Sequence, residues 1–306
     1  MDLAVPTINI AGRFDRGKLG AFVSRPAFDH FLAAYRQGMS ALPPFEHADV
    51  PTAFGTVRTY RFDGPDGPPI VLLPGRNGCT PMYEGNLAPL LRLRTVYSID
   101  LLGEAGLSVQ HSVISTAAEQ ARWLDDTLAG LGLDAAHLLG VSIGGWTAVN
   151  CAVHRPDRIA SLTLLDPVQT FARLNLTPLL ASVVMLAPGM PQRWRRGVMR
   201  WIAGGADVDH AGPVATLIDA AATDFVVRTP MPRLFVDDQL RSLRTPVLAL
   251  LAGRSVMLDA RRAAARARRL LARGQVEVWP DASHAINGEY PQQIADRLGR
   301  FLDYIG

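Results

Sequence analysis

Two hydrophobic rhythms alternate along most of this chain. Short, mostly apolar runs occupy 69–73, 95–99, 136–139, 159–165, 246–251 and 276–279, and a strand-like run lies at 57–62. Runs of that length, bounded by glycine, proline or aspartate, predict buried β-strands. Between them lie stretches with helical spacing. Ala118, Ala121, Leu124, Leu128 and Leu131 mark one helix over 115–131, and further helices are expected over 26–39, 144–153, 259–271 and 291–302. Repeated strand–helix units imply an α/β fold with a mostly parallel central sheet and helices on both faces.

The alternation lapses between about 168 and 242, where the chain is proline-rich and reads as helical. Three parts are therefore expected: a lead-in at 1–50, a core at 51–167 and 243–306, and an inserted helical cap at 168–242. Insertions of this kind usually sit at the C-terminal ends of the strands, where open α/β sheets bind ligands. Leu174, Leu179, Val183, Met185, Leu186 and Trp194 make the cap far more apolar than a connecting loop requires. That composition suits either cap packing or a hydrophobic acyl or aromatic substrate.

Composition narrows the class. With 306 residues, 48% hydrophobic and 19% charged, the chain can bury a sizeable core and is neither disordered nor a coiled coil. The formal net charge is only +3, so nucleic acid is not an implied partner. The stretch Asp259 to Arg273 carries six arginines, but Ala260, Ala263, Ala264, Ala267, Leu270 and Leu271 form one stripe on its helix. The arginines are expected on the solvated outer face. Two cysteines, Cys79 and Cys151, are too few for a disulfide framework and point to a reducing, cytoplasmic setting. No signal peptide or membrane span is expected, nor any metal-ligand cluster or cofactor motif.

The chemistry concentrates at Gly140-Val141-Ser142-Ile143-Gly144-Gly145, between a strand and a helix. Glycine two residues either side of the serine lets the chain turn sharply and expose Oγ above the sheet. A serine hydroxyl needs a base. Of seven histidines, His284 is best placed, in a loop after the last strand and so at the same sheet edge as Ser142. A tetrahedral oxyanion needs backbone N–H donors. Ile143, next after the serine, supplies one, and Arg76 in the loop Pro74-Gly75-Arg76-Asn77-Gly78 is expected to supply the other.

With these residues the chain resembles the α/β-hydrolase family over about residues 45–304, and is most similar to its bacterial carboxylesterase-like branch with a helical cap. The resemblance rests on the elbow G-V-S-I-G-G, the loop L-L-P-G-R-N-G, the later D-L-L-G-E, the helix end H-R-P-D-R-I and the final S-H-A-I-N-G-E-Y-P. It implies a serine hydrolase acting on a carboxylic ester or thioester, with no cofactor. A C–C hydrolase or perhydrolase uses the same serine–histidine pair.

The sequence departs from the family twice. Pro74 stands where most relatives have the histidine that begins the oxyanion loop. Relatives also place the triad acid just after the strand at 246–251, whereas here no carboxylate follows until Asp259, at a helix start where N-capping is its ordinary role. Asp166 in Leu164-Leu165-Asp166-Pro167 is the other candidate, in a position resembling that of the acid in pancreatic-type lipases. Asp166 is therefore the expected triad acid and Asp259 the alternative, with the absence of a working acid as the third reading. Without an acid, a ligand-binding or receptor-like protein on a hydrolase fold is the competing class.

Overall fold

The structure, a computed structural model, describes residues 3–175, 194, 197 and 212–306. One sheet organises them. Its strands run in the order β11 (Gly274–Trp279), β10 (Val247–Ala252), β8 (Ile159–Leu165), β7 (Ala136–Val141), β4 (Ile70–Leu73), β5 (Val96–Ile99), β3 (Gly55–Phe62) and β2 (Glu46–Thr52), with the short β6 (Val109–Gln110) also paired to β3. From β11 to β5 every pairing is parallel, while β3 joins β5 and β2 antiparallel. The expected mostly parallel α/β sheet is therefore present.

Burial explains why the parallel strands read as mostly apolar runs. Alternate residues face opposite layers. Val71 and Leu73 of β4 join Leu138, Leu162, Leu164, Ala249 and Leu251 in one core. Ile70 and Leu72 join Leu139, Val141, Leu165, Leu248 and Leu250 in the other. The first layer is covered by α3 (Ala117–Gly130), α4 (Ile143–His154) and α7 (Ala260–Leu270); the second by α1 (Arg25–Ser40), α2 (Glu84–Leu90) and α9 (Pro291–Ile305), with α5 (Pro213–Asp224), α6 (Asp237–Ser242) and α8 (Ile286–Glu289) completing the described helices. α3 starts at a capping box, with Thr116 and Glu119 satisfying each other's backbone amides.

The chain runs from β4 outward to β5 and then returns to β7 on the other side of β4. This reversal opens a crevice at the C-terminal ends of β4 and β7, where such sheets bind ligands. Both the loop after β4 and Ser142 after β7 open onto it.

The lead-in is more integrated than its composition suggested. β2 crosses the boundary expected at residue 50 and pairs with β3 over its whole length. Four consecutive residues, Glu46 to Asp49, are exposed on this edge strand and only Val50 is buried, so no apolar run announced it. β1 (Ala21–Phe22) pairs with β9 (Phe225–Val226), and His30 Nδ1 lies 2.6 Å from Asp224 Oδ2.

Much of the expected cap, including Leu179, Val183, Met185 and Leu186, lies outside the described residues. Leu174 packs against the core, and Trp194 is exposed. The two stems of the insertion are tied to the core by one side chain that the solvated-face expectation misplaced. Arg266 on α7 turns inward, donating to Thr170 O (3.3 Å), Phe235 O (2.6 Å) and Asp237 Oδ1 (3.0 Å from Nε). The remaining arginines of that helix are exposed, and the alanine–leucine stripe is buried. No described helix is long and apolar enough to cross a membrane.

Candidate active site

Ser142 sits at the tip between β7 and α4 with φ 54° and ψ −114°. That conformation is costly for a residue with a Cβ and persists only where neighbours enforce it. The glycines provide the room. A Cβ on Gly140 would meet Gly144 O at 2.4 Å, and one on Gly144 would meet Leu73 O at 2.0 Å. β7, β4 and the start of α4 thus pack backbone to backbone around the serine.

His284 lies in the loop after β11. Gly253 N–H donates to Trp279 O (2.8 Å) and Arg254 N–H to Ala282 O (2.9 Å). Ser283 N–H donates to Glu289 Oε2 (2.7 Å), and Asn287 Nδ2 reaches Met82 O (3.2 Å). These bonds fix the ring. His284 Nε2 is 3.0 Å from Ser142 Oγ, and Nδ1 is 2.6 Å from Asp166 Oδ2.

Asp166 is fully buried at the end of β8, with φ 43°. Its Oδ1 accepts from Ala252 N–H (3.1 Å) and its Oδ2 from Ser255 Oγ–H (2.6 Å). A carboxylate only accepts, so the proton of a neutral imidazole belongs on Nδ1, leaving Nε2 to accept from the serine. Ser255 was missed from the sequence. It follows β10, the place where relatives carry their acid, and here its hydroxyl steadies the carboxylate arriving from β8. The stretch Ala252-Gly253-Arg254-Ser255 reads as an absence of acid, and a supporting hydroxyl has no signature of its own.

Asp259 has other partners. It caps α7, accepting from Arg262 N–H at 3.0 Å, and pairs with the Arg262 side chain. Among the described residues no hydrogen bond links it to His284. Its place at a helix start decides this: the side chain turns back onto its own first turn.

The loop after β4 borders the serine closely: a Cβ on Gly75 would lie 3.5 Å from Ser142 Cβ. Asn77 takes the left-handed conformation (φ 59°), and Gly78 N–H closes a turn onto Gly75 O (2.9 Å). Ile143 is the first residue of α4, where amides have no acceptor within the helix. Arg76 and Ile143 both line one cleft, whose walls also include Leu102, Trp123, Trp146 and Pro230. Asp100 secures the far end of the loop, accepting from Thr80 N–H (3.2 Å), Tyr35 Oη–H (2.8 Å) and Leu107 N–H (2.9 Å). Burial pushes its carboxyl above the usual range, against those bonds. Burial also raises the Cys79 and Cys151 thiols, which makes both poor nucleophiles. No group of three or more His, Cys, Asp or Glu among the described residues is arranged to hold a metal ion.

A strained serine on a strand–helix tip, a histidine within reach and a buried carboxylate behind it define the serine-hydrolase arrangement on an α/β sheet. Residues 70–297, about three quarters of the chain, match the alpha/beta hydrolase family, and the chain belongs to that family. Its relatives include the Bacillus subtilis carboxylesterase YbfK, 27% identical over 89% of this chain and 93% of the relative. An uncharacterized carboxylesterase of the same organism, nap, is 27% identical over 83% and 85%. Among solved structures, carboxylesterase CesB (YbfK) superposes with a TM-score of 0.83 at 26% identity, covering 90% of this chain and 98% of that one. Bacillus subtilis naproxen esterase superposes with a TM-score of 0.82 at 25% identity, over 90% and 98%. The protein is an α/β-hydrolase of the carboxylesterase-like kind.

Proposed function

We propose that this protein is a serine carboxylesterase that cleaves its ester through an acyl-enzyme on Ser142. The observation carrying the proposal is the continuous relay from Ser142 Oγ through His284 to Asp166, at 3.0 and 2.6 Å. Ser142 Oγ attacks the ester carbonyl while His284 Nε2 takes its proton. Asp166 holds the Nδ1–H tautomer and stabilises the imidazolium that forms. The N–H groups of Ile143 and Arg76 receive the oxyanion. His284 then protonates the leaving alcohol, and a water activated by the same nitrogen releases the acid.

The substrate in this reading is a small ester with a hydrophobic acyl or aromatic part. The apolar side chains of the cleft beside Ile143 support it, as does the name of the relative called naproxen esterase. A thioester would enter the same chemistry. A cytoplasmic location fits the two free, buried cysteines.

The test is a series of p-nitrophenyl esters of graded acyl length, with wild type and Ser142→Ala side by side. Wild type should release nitrophenol over at least part of the series, and Ser142→Ala should retain almost none. Equal rates in the two proteins, or no hydrolysis of any ester by wild type, would overturn the proposal.

A further inference from the structure

The cleft beside the elbow contains one feature the reaction does not use. Gly103, in the left-handed region (φ 85°), turns the chain after Leu101-Leu102 and delivers Glu104 into the cleft wall. A Cβ at Gly103 would meet Thr229 Cγ2 at 2.6 Å, so the turn packs directly against the cleft's opposite wall. Glu104 is 5% exposed. Its Oε1 lies 3.3 Å from Arg76 Nη2, and its Oε2 is buried with no hydrogen-bond partner among the described residues.

A buried carboxyl oxygen left unpaired is rare in folded proteins and asks for an explanation. Here its neighbours supply one. Arg76 and Ile143, whose amides would hold the oxyanion, line the same cleft, so a substrate with its carbonyl there extends past Glu104. The wall mixes apolar side chains with Gln120, Thr147 and Thr229; Gln120 Oε1 accepts from Trp123 Nε1–H (2.8 Å), Thr147 donates to Ile143 O (2.9 Å), and Arg76 occupies only one oxygen of the Glu104 carboxyl. The remaining acceptor is the one buried side-chain oxygen of the cleft wall left without a partner among the described residues, and a few such polar points are how small-molecule sites fix orientation. Burial pushes the Glu104 carboxyl up and Arg76 opposes that shift; a donor from the substrate would favour the charged form as Arg76 does.

We infer that Glu104 is a specificity-determining residue whose free Oε2 accepts a hydrogen bond from a hydroxyl group on the substrate. The preferred substrates are then hydroxylated hydrophobic esters rather than simple hydrocarbon ones. This rests on the esterase reading above.

The experiment compares matched esters. In one series the acyl part is phenylpropanoate, as its p-nitrophenyl ester, with a hydroxyl at each ring position in turn. In the other, the alcohol part of phenylethyl acetate carries the hydroxyl. The readout is the ratio of kcat/KM for each hydroxylated ester to that for its unsubstituted partner, which a general loss of folding or activity does not move. Wild type should favour at least one hydroxylated ester by about tenfold, because a site built around a polar partner discriminates against an analogue that lacks it. Glu104→Leu should bring that ratio to about one or below. Should that variant not fold, Glu104→Gln is the isosteric alternative, and its neutral acceptor should lower the ratio at least about threefold. A ratio unchanged in the variants, or no preference in wild type while both esters are cleaved, overturns the role of Glu104 alone. Failure of wild type to cleave either ester overturns the esterase reading and this inference with it.

Discussion

Replacing Asp166 by asparagine separates the arrangement seen here from the position the family leads one to expect. Asparagine fits the same volume. Its carbonyl can keep the Ala252 N–H, which Asp166 Oδ1 now holds at 3.1 Å. The amide nitrogen then occupies the place of Oδ2, which is 2.6 Å from both His284 Nδ1 and Ser255 Oγ. There it points a donor at a ring nitrogen that must itself donate. The imidazole responds by moving its proton to Nε2, which faces Ser142 Oγ at 3.0 Å and can no longer accept. The same change in a serine-protease triad costs about four orders of magnitude. We expect a loss of about three to four orders in kcat, or about 4–5.5 kcal/mol of transition-state stabilisation.

Two companions calibrate that loss. Asp259→Asn should stay within about twofold of wild type, because asparagine caps a helix as well as aspartate. Ser255→Ala should cost about tenfold, since the carboxylate keeps its Ala252 amide but loses one charge-assisted bond. Initial rates with p-nitrophenyl butyrate, normalised by titration of active sites and checked against Tm, give all three numbers. A crippled Asp259→Asn beside a mild Asp166→Asn would refute the reasoning. So would mild effects from both, which would leave a serine–histidine pair working without an acid.

Ser142→Ala and His284→Ala should each remove nearly all turnover, and the double variant should be little worse, since the pair acts as a unit; additive losses in single-turnover assays would contradict this. His137, buried and 2.8 Å from Ser161 Oγ, has its pKa pushed down to about 4 by burial and by Arg94. The folded state therefore refuses a proton that the unfolded chain takes below about pH 6.5, so stability is full above that value and falls by up to about 3 kcal/mol as pH drops towards 4. Denaturant titrations across that range should show a shallower decline for His137→Gln, and identical slopes would contradict the assignment. Gly144→Ala should cost about 3 kcal/mol or more, or abolish folding, because the new Cβ would lie 2.0 Å from Leu73 O; an unchanged Tm would contradict the close packing of the elbow.

What the sequence made legible was whatever leaves a local pattern. The central parallel strands β4, β7, β8 and β10 are buried on both faces, so they read as apolar runs. The glycines around Ser142 answer to close backbone packing, since a Cβ on Gly140 or Gly144 would lie only 2.4 or 2.0 Å from a neighbouring carbonyl oxygen. His284 could be placed because a loop after the last parallel strand must emerge at the elbow's edge. The rest depends on contacts between distant segments. β2 is a polar edge strand, with no rhythm to reveal it. Arg266 looks like its arginine neighbours until the backbone carbonyls of 170, 171 and 235 converge on it. Asp166 could be preferred to Asp259 from its Leu-Asp-Pro setting, but its support could not be read, because only the adjacency of β8 and β10 brings Ser255 and Ala252 to the carboxylate. Glu104 sits in the motif D-L-L-G-E, yet only burial beside the oxyanion loop distinguishes it from a surface glutamate.

The central claim is that Ser142 is an activated nucleophile. The most direct measurement is reaction with a fluorophosphonate probe, followed by mass spectrometry of the labelled peptide. Rapid stoichiometric labelling is expected at Ser142, slowed by orders of magnitude in His284→Ala and absent in Ser142→Ala. Labelling at another residue, or no reaction at Ser142 in the folded wild-type protein, would contradict it.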